Sequence, residues 1–141
     1  MDYTFQFSAV FDELPYLLGG ALITLQIAFI TFWAGAVIGI FGAIAKVYGG
    51  ALSRRVTTMY VSFFTNTPAL VQVFLLYYAL PDAGVLLTPM VAVLIGLTLN
   101  AGAYLTEILR AGVVSVRRSE MEAAATLGMS PLQILRHVML P

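Results

Sequence analysis

The hydrophobic positions of the chain fall into three long stretches that contain no charged residue. These stretches cover residues 14–45, 56–81 and 83–106. Each is longer than the roughly 20 residues that an α-helix needs to cross a hydrocarbon core about 30 Å thick. The pattern therefore predicts an all-α integral membrane protein with three transmembrane helices, at about 17–45, 56–80 and 86–109.

The composition supports this class and excludes several kinds of site. Hydrophobic residues make up 60% of the 141 residues and charged residues 10%, whereas an average soluble domain carries about 25% charge. The mean hydropathy is +0.93. The sequence has no cysteine, which excludes disulfides and thiolate metal sites, and its single histidine, His137, cannot build a metal site alone.

The basic residues predict the orientation of the chain in the membrane. All seven follow either the first or the third predicted span: Lys46, Arg54, Arg55, Arg110, Arg117, Arg118 and Arg136. Basic loops stay in the cytoplasm. We therefore expect an external N-terminal segment at 1–15, a membrane domain at 16–110 and a cytoplasmic segment at 111–141, with residue 141 in the cytoplasm.

Small residues recur on one side of the first predicted helix. Gly35, Gly39, Gly42 and Ala43 follow one another at short helical spacing. Small side chains allow a neighbouring helix backbone to approach closely. We interpret this strip as a helix-packing surface.

Uncharged polar residues lie far from the ends of the predicted spans, where they need hydrogen-bonding partners. Two interpretations stay open: these groups form interhelical hydrogen bonds, or they line a polar route for a solute. A proline among them has no amide hydrogen, so the second helix should kink or unwind there. The candidate translocation path comprises Gln26, Asn66, Thr67, Pro68, Gln72 and Asn100.

Charged residues reappear at the end of the third predicted helix. Glu107 and Arg110 are three positions apart, which places them on one helix face where they can pair. We interpret this pair as an interfacial anchor.

Two short helices are predicted in the tail. Ser119, with Glu122 three residues later, fits a capping box at a helix N-terminus. Gly128 can end that helix in the left-handed conformation. Ser130 and Gln133 repeat the capping pattern for a second helix that runs to about Met139.

A helix-turn-helix of this kind has two possible uses. In DNA-binding proteins the second helix reads the major groove, but it needs a basic face, and only Arg136 and His137 decorate this one. The other use is a compact helical element that docks into a groove of another protein. The docking interpretation fits the residues better, and we expect no nucleic-acid partner.

Four motifs resemble the permease subunits of ABC transporters. The tail carries Glu122-Ala123-Ala124, Gly128 and a closing Val-Met-Leu-Pro, which is similar to the EAA loop of these subunits. Upstream, GGALITLQ at 19–26, FFTNTPALVQ at 63–72 and LTLNAGAYLTEILR at 97–110 look like the branch of bacterial importers for polar amino acids. The resemblance covers nearly the whole chain.

The resemblance implies a function and a set of partners. It implies part of the five-span type I importer fold, in which the permease translocates a polar amino acid across the inner membrane. Separate cytoplasmic ATPase subunits would use ATP and Mg, so this chain would bind no cofactor and would not be an enzyme. An external solute-binding protein and a second permease subunit, the same or a sister chain, are the further expected partners.

The resemblance also assigns a coupling element to the tail. By analogy, Glu122, Ala123, Ala124 and Gly128 lie on the helices that dock in the ATPase. Consistent with a separate ATPase, the sequence contains no Gly-rich Lys-Ser/Thr phosphate loop. A membrane anchor or assembly subunit without a route of its own is the alternative, and a membrane-tethered DNA binder is a remote one.

The chain departs from the family pattern at three points. Thr65 stands where related permeases have a basic residue, and Met121 stands where they have an aromatic one. These changes affect the expected solute preference and the expected ATPase contact. Because the EAA motif ends at Pro141 and the last spans of the family are missing, we expect a C-terminally truncated sequence.

Overall fold

The computed structural model describes residue 11 and residues 13–139, and the regular elements of that part are all helical. Most of the predicted external segment 1–15 lies outside the described residues, as do positions 140 and 141. In chain order the helices are α1 (Leu14–Tyr48), α2 (Ala51–Asn66), α3 (Ala69–Phe74), α4 (Pro89–Ser115), α5 (Arg118–Thr126) and α6 (Pro131–Ile134). A π-helical turn, Leu75–Ala79, extends α3, and a second, Leu135–Met139, extends α6.

Two of these helices are long and apolar enough to cross a membrane. They are α1, with 35 residues and a mean hydropathy of 2.2, and α4, with 27 residues and a mean hydropathy of 1.5. Between them, α2 and the segment Ala69–Ala83 meet at a bend of 105°. The predicted break at Pro68 is confirmed. The chain has up to three spans if the bent pair is one of them, so the span count of three stays a prediction.

Helices α1 and α4 pack through small residues, as the sequence predicts. On α1 the buried positions recur every four residues: Thr31, Gly35, Gly39 and Ala43. A methyl group added at Gly39 would lie 2.6 Å from Leu105 Cβ and 3.1 Å from the Leu105 carbonyl carbon. This contact requires glycine because the obstacle includes the backbone of α4.

Helix α2 joins this pair through a tyrosine. The Tyr60 hydroxyl donates a 2.6 Å hydrogen bond to the carbonyl oxygen of Leu99 on α4. Gly102, buried on α4, leaves room for this hydroxyl, since a Cβ there would lie 2.9 Å from it. The contact between Tyr60 of α2 and α4 therefore depends on the absence of a side chain at position 102.

The first tail helix begins one residue before the predicted cap. Its N-cap is Arg117, with extended backbone angles of φ −67° and ψ 138° and no side-chain capping bond. The predicted capping box of Ser119 and Glu122 is wrong. An N-cap residue needs a non-helical backbone, and Ser119 already lies inside the first turn of α5.

The turn between α5 and α6 forms as predicted. Gly128 has a φ of 76°, its amide donates to the Ala125 carbonyl, and the Met129 amide donates to the Ala124 carbonyl, which together make a Schellman motif. Ser130 and Gln133 form a complete capping box at the start of α6. Both ends of the turn are therefore held by hydrogen bonds.

Candidate functional site

The candidate site is the break between α2 and α3. Thr67 (φ −112°, ψ 131°) and Pro68 (φ −56°, ψ 135°) are extended and interrupt the helical backbone. Proline disfavours a helical conformation in the residue before it and lacks an amide hydrogen. The last carbonyl groups of α2 are consequently left without partners in their own helix.

Gln72 satisfies two of these carbonyl groups from one side of the break. Its side chain is buried, with only 3% of its surface exposed. The amide nitrogen Nε2 donates to the Phe64 carbonyl oxygen at 2.9 Å and to the Thr67 carbonyl oxygen at 2.8 Å. A single side chain on α3 therefore bonds across the break, to Phe64 of α2 and to Thr67 in the break itself.

Asn100 reaches the same carbonyl group from α4. Its Nδ2 donates to the Phe64 carbonyl oxygen at 3.1 Å and to Oε1 of Gln72 at 3.3 Å. Two of the predicted path residues thus come together, and their contacts are those of interhelical hydrogen bonding. Their separation of 28 positions in sequence gave no direct signal of this contact.

The hydroxyl of Tyr104 supplies a further donor that the sequence analysis missed. It lies 3.4 Å from the Thr65 carbonyl oxygen, the next carbonyl after that of Phe64. Asn100 and Tyr104 are one helical turn apart on α4, so both face the break. The spacing of four residues between Asn100 and Tyr104 could have indicated this contact. Tyrosine is common in membrane helices, however, so its presence did not mark Tyr104 as a functional residue.

The other predicted residues of the break lie at its surface. Asn66 and Pro68 are exposed, and Thr67 is half-buried. The Asn66 Nδ2 donates to the carbonyl oxygen of Ser62 at 2.7 Å, within its own helix. These side chains, in contrast to Gln72, are at least partly exposed at the surface of the chain.

Gln26 lies apart from the break. It is exposed and lines a shallow groove of α1 with Leu25, Phe29 and Ile30. Within the part of the chain that the structure describes, no hydrogen bond joins it to the residues of the break. The predicted path residues therefore form one cluster and one separate position.

A charge cluster joins the ends of α1 and α4. The predicted pair of Glu107 and Arg110 is confirmed, with 2.9 Å between Arg110 Nε and Glu107 Oε2. The sequence analysis missed the third member, Lys46, whose Nζ pairs with Glu107 Oε1. One carboxylate thus serves two cations, and among the described residues no group of three His, Asp or Glu side chains is placed to hold a metal ion.

The predicted coupling residues lie on α5 and the turn after it. Glu122 and Ala123 are exposed, and Ala124 is buried, with 5% of its surface accessible. Gly128 forms the left-handed turn, and a Cβ there would meet no atom within 4 Å. The requirement for glycine at this position is thus conformational and does not arise from packing.

Comparison with known proteins identifies a family and several relatives. Residues 35–141 match the family described as "Binding-protein-dependent transport system inner membrane component". The probable amino-acid ABC transporter permease protein YckA of Bacillus subtilis is 38% identical over 140 residues, which cover 99% of this chain and 62% of that protein. The glutamine transport system permease protein GlnP of Escherichia coli is 34% identical and is covered to 64% of its length.

A solved structure has the same fold. It is described as the crystal structure of an amino acid ABC transporter with histidines, and it aligns over 99% of this chain with a TM-score of 0.86 and 31% sequence identity. The alignment covers 65% of the chain in that structure. The present chain thus spans somewhat less than two thirds of the length of the proteins it resembles.

Proposed function

The chain belongs to the family of binding-protein-dependent transport system inner membrane components, and we propose that it is the permease subunit of an ATP-driven importer for a polar amino acid. Its apolar helices and its family make it a multi-pass protein of the inner membrane. Members of this family are permease subunits and not enzymes, so the chemical step belongs to a separate ATPase. The amino-acid class is supported by the printed names of the relatives, which include a glutamine permease.

The observation that carries the proposal is the broken helix between α1 and α4. A helix that unwinds at membrane depth exposes backbone groups and short polar side chains to a permeating solute. Here the exposed side of the break presents Asn66, Thr67 and Pro68. An uncharged, hydrogen-bonding surface of this kind suits the zwitterionic end of an amino acid. Gln26, on the separate surface of α1, is the remaining candidate for contact with the solute.

The tail supports the proposed coupling to an ATPase. The turn between α5 and α6 is held by a Schellman motif on one side and a capping box on the other. A short, rigid helical element can transmit movement because it does not deform when its partner closes. In this proposal Glu122, Ala123, Ala124 and Gly128 contact cytoplasmic ATPase subunits that hydrolyse ATP with Mg. An external solute-binding protein and a second permease subunit, the same or a sister chain, complete the transporter.

Reconstitution tests the proposed transport function. The complete permease that carries this sequence is placed in liposomes with its ATPase and its binding protein, and uptake of radiolabelled amino acids is measured. We expect ATP-dependent uptake of a polar amino acid, and Asn66→Ala should raise the KM for that solute while leaving assembly unchanged. Binding of all partners without ATP-dependent uptake would instead support an anchor or assembly role.

The proposed orientation is tested separately with introduced cysteines. The 141 residues contain no cysteine, so each introduced thiol is unique within them. Ala83→Cys, between the predicted second and third spans, should react with a membrane-impermeant maleimide added to intact spheroplasts. Arg117→Cys, in the predicted cytoplasmic segment, should react only after the membrane is opened. The reverse pattern would contradict an external N-terminus and a cytoplasmic tail.

A further inference from the structure

We propose that Gln72, Asn100 and Tyr104 form a hydrogen-bonding clamp that fixes the angle of the broken helix and ties the break to α4. In this proposal the three residues are positioning residues: they hold Asn66 and Thr67 in place and do not contact the solute themselves. The transport readout below rests on the proposed function, whereas the structural readout does not.

The amide donors of the clamp are fully used. A side-chain amide nitrogen carries two hydrogens. Both hydrogens of Gln72 Nε2 bond to carbonyl oxygens of the break, and both hydrogens of Asn100 Nδ2 bond to the Phe64 carbonyl and to Gln72. The Phe64 carbonyl oxygen accepts from both amides, so its two lone pairs are occupied as well. A solute can reach these nitrogens only if the break is first released.

The hydrogen-bonding partners of α2 lie close together on α4. Helix α2 takes part in three of these hydrogen bonds. The Tyr60 hydroxyl donates to α4, whereas the Phe64 and Thr65 carbonyl groups accept from it. Their partners on α4 lie within two turns, at Leu99, Asn100 and Tyr104. The last turns of α2 are therefore fastened to one face of α4, and Gln72 extends this attachment across the break to α3.

The surroundings of the break determine what happens when the clamp is lost. Within a membrane, a freed carbonyl group finds no water, so a break persists only where other groups satisfy it. Gln72 is 3% exposed, which means that no solvent replaces its bonds if they are lost. Without the clamp the Phe64 carbonyl cannot return to a helical hydrogen bond, because the residue four positions later is Pro68. The two arms of the broken helix, α2 and α3, then lose the side-chain bonds that hold them at this angle and should become less bent.

The test is a distance measurement between spin labels on the two arms. Met59→Cys on α2 and Leu75→Cys after α3 are suitable sites, since both side chains are exposed (66% and 47%). The doubly labelled complete permease is diluted with unlabelled chains in nanodiscs, without solute, ATPase or binding protein. Gln72→Met and Asn100→Leu keep similar shapes but lack the amide donors, and we expect both to shift the distance distribution to longer values.

The matched control is Gln26→Met, which removes an amide of the same kind outside the clamp. It should leave the distance unchanged. If Gln72→Met does not assemble, the milder Asn100→Leu and Tyr104→Phe decide the question. Unchanged distances in the variants that assemble would overturn the clamp. Because the measurement involves no transport, it stands even if the chain proves to carry no amino acid.

A kinetic comparison then separates positioning from solute contact. In the reconstituted transporter, Tyr104→Phe should lower the maximal solute-stimulated rate of ATP hydrolysis and leave the affinity of the solute largely unchanged. Asn66→Ala should weaken the affinity for the solute and leave the maximal rate of ATP hydrolysis largely unchanged. A weakened affinity in Tyr104→Phe, combined with an unchanged distance between the arms, would assign the tyrosine to the solute and overturn its place in the clamp.

Discussion

Lys46 in the last turn of α1 forms an ion pair with Glu107 of α4, although 61 positions separate the two residues in the sequence. Glu107 also binds Arg110, so one carboxylate holds two cations at the same end of the helix pair. The small-residue interface of α1 and α4 runs from Thr31 to Ala43. The charge cluster therefore closes the end of an interface whose buried residues are otherwise uncharged.

The charge cluster gives the first prediction, an order of destabilisation. Glu107→Gln should lower the free energy of unfolding the most, by about 1–3 kcal/mol, because it removes both charge-assisted bonds and leaves two cations without a counterion. Lys46→Met should cost less, and Arg110→Gln least, since the Arg110 side chain is 36% exposed and the Lys46 side chain only 12%. Thermal unfolding of the purified variants in detergent measures the order.

A matched variant distinguishes the cluster from general charge effects. Arg54→Gln removes a basic residue from an exposed position at the start of α2 and should leave the unfolding temperature unchanged. If Glu107→Gln were as stable as the natural protein, the ion pair would contribute nothing to the packing of α1 and α4.

The packing of α1 on α4 gives the second prediction. Gly39→Ala should destabilise the protein by about 1–3 kcal/mol, because its methyl group meets the Leu105 backbone and the helices have to separate. Gly20→Ala is the control on the same helix, since a Cβ there has no neighbour within 4 Å. It should be neutral or stabilising by up to about 1 kcal/mol. Circular dichroism during heating compares the two, and equal stability would exclude the close contact.

The tail turn gives the third prediction. Gly128→Ala should destabilise the turn by about 1–2 kcal/mol, because an L-residue with a side chain is strained at a φ of 76°. Gly128→Asn should be tolerated better, since asparagine adopts the left-handed conformation more readily. If the turn couples to an ATPase, solute-stimulated ATP hydrolysis falls in the alanine variant and recovers in the asparagine variant.

A glycine outside the turn controls for the loss of glycine itself. Gly112 also has open space around it but lies inside helix α4, so Gly112→Ala should leave stimulated hydrolysis unchanged. Equal activity in Gly128→Ala and Gly112→Ala would mean that the geometry of the turn has no role in coupling.

The sequence predicted features that depend on neighbouring residues. The helical class, the break at Pro68, the turn at Gly128 and the capping box at Ser130 all follow from local chemistry, and the structure has them. The misplaced cap at Ser119 shows the limit of such patterns. A serine fits an N-cap only if its own backbone is extended, and in the structure the extended residue is Arg117, two positions earlier.

Contacts between distant segments were harder to predict. Lys46 and Glu107 pair because α1 and α4 pack side by side, and no local pattern contains that information. Gln72 and Asn100 were identified as polar groups in need of partners, but the sequence left open whether those partners were solute or protein. The side-chain bonds to the Phe64 carbonyl depend on the 105° bend, which a proline allows but does not specify.

The fourth prediction concerns the cause of that bend. Pro68→Ala restores an amide and removes the steric restriction on Thr67, yet the bonds from Gln72 and Asn100 to the Phe64 carbonyl remain available. We therefore expect the distance between labels on α2 and α3 to stay the same in Pro68→Ala. In the double variant with Gln72→Met the shift should exceed the sum of the single shifts, because only this variant has both a freed Phe64 carbonyl and an amide at position 68 that can bond to it. Straightening in Pro68→Ala alone would show that the proline ring, and not the side chains bonded across the break, sets the bend.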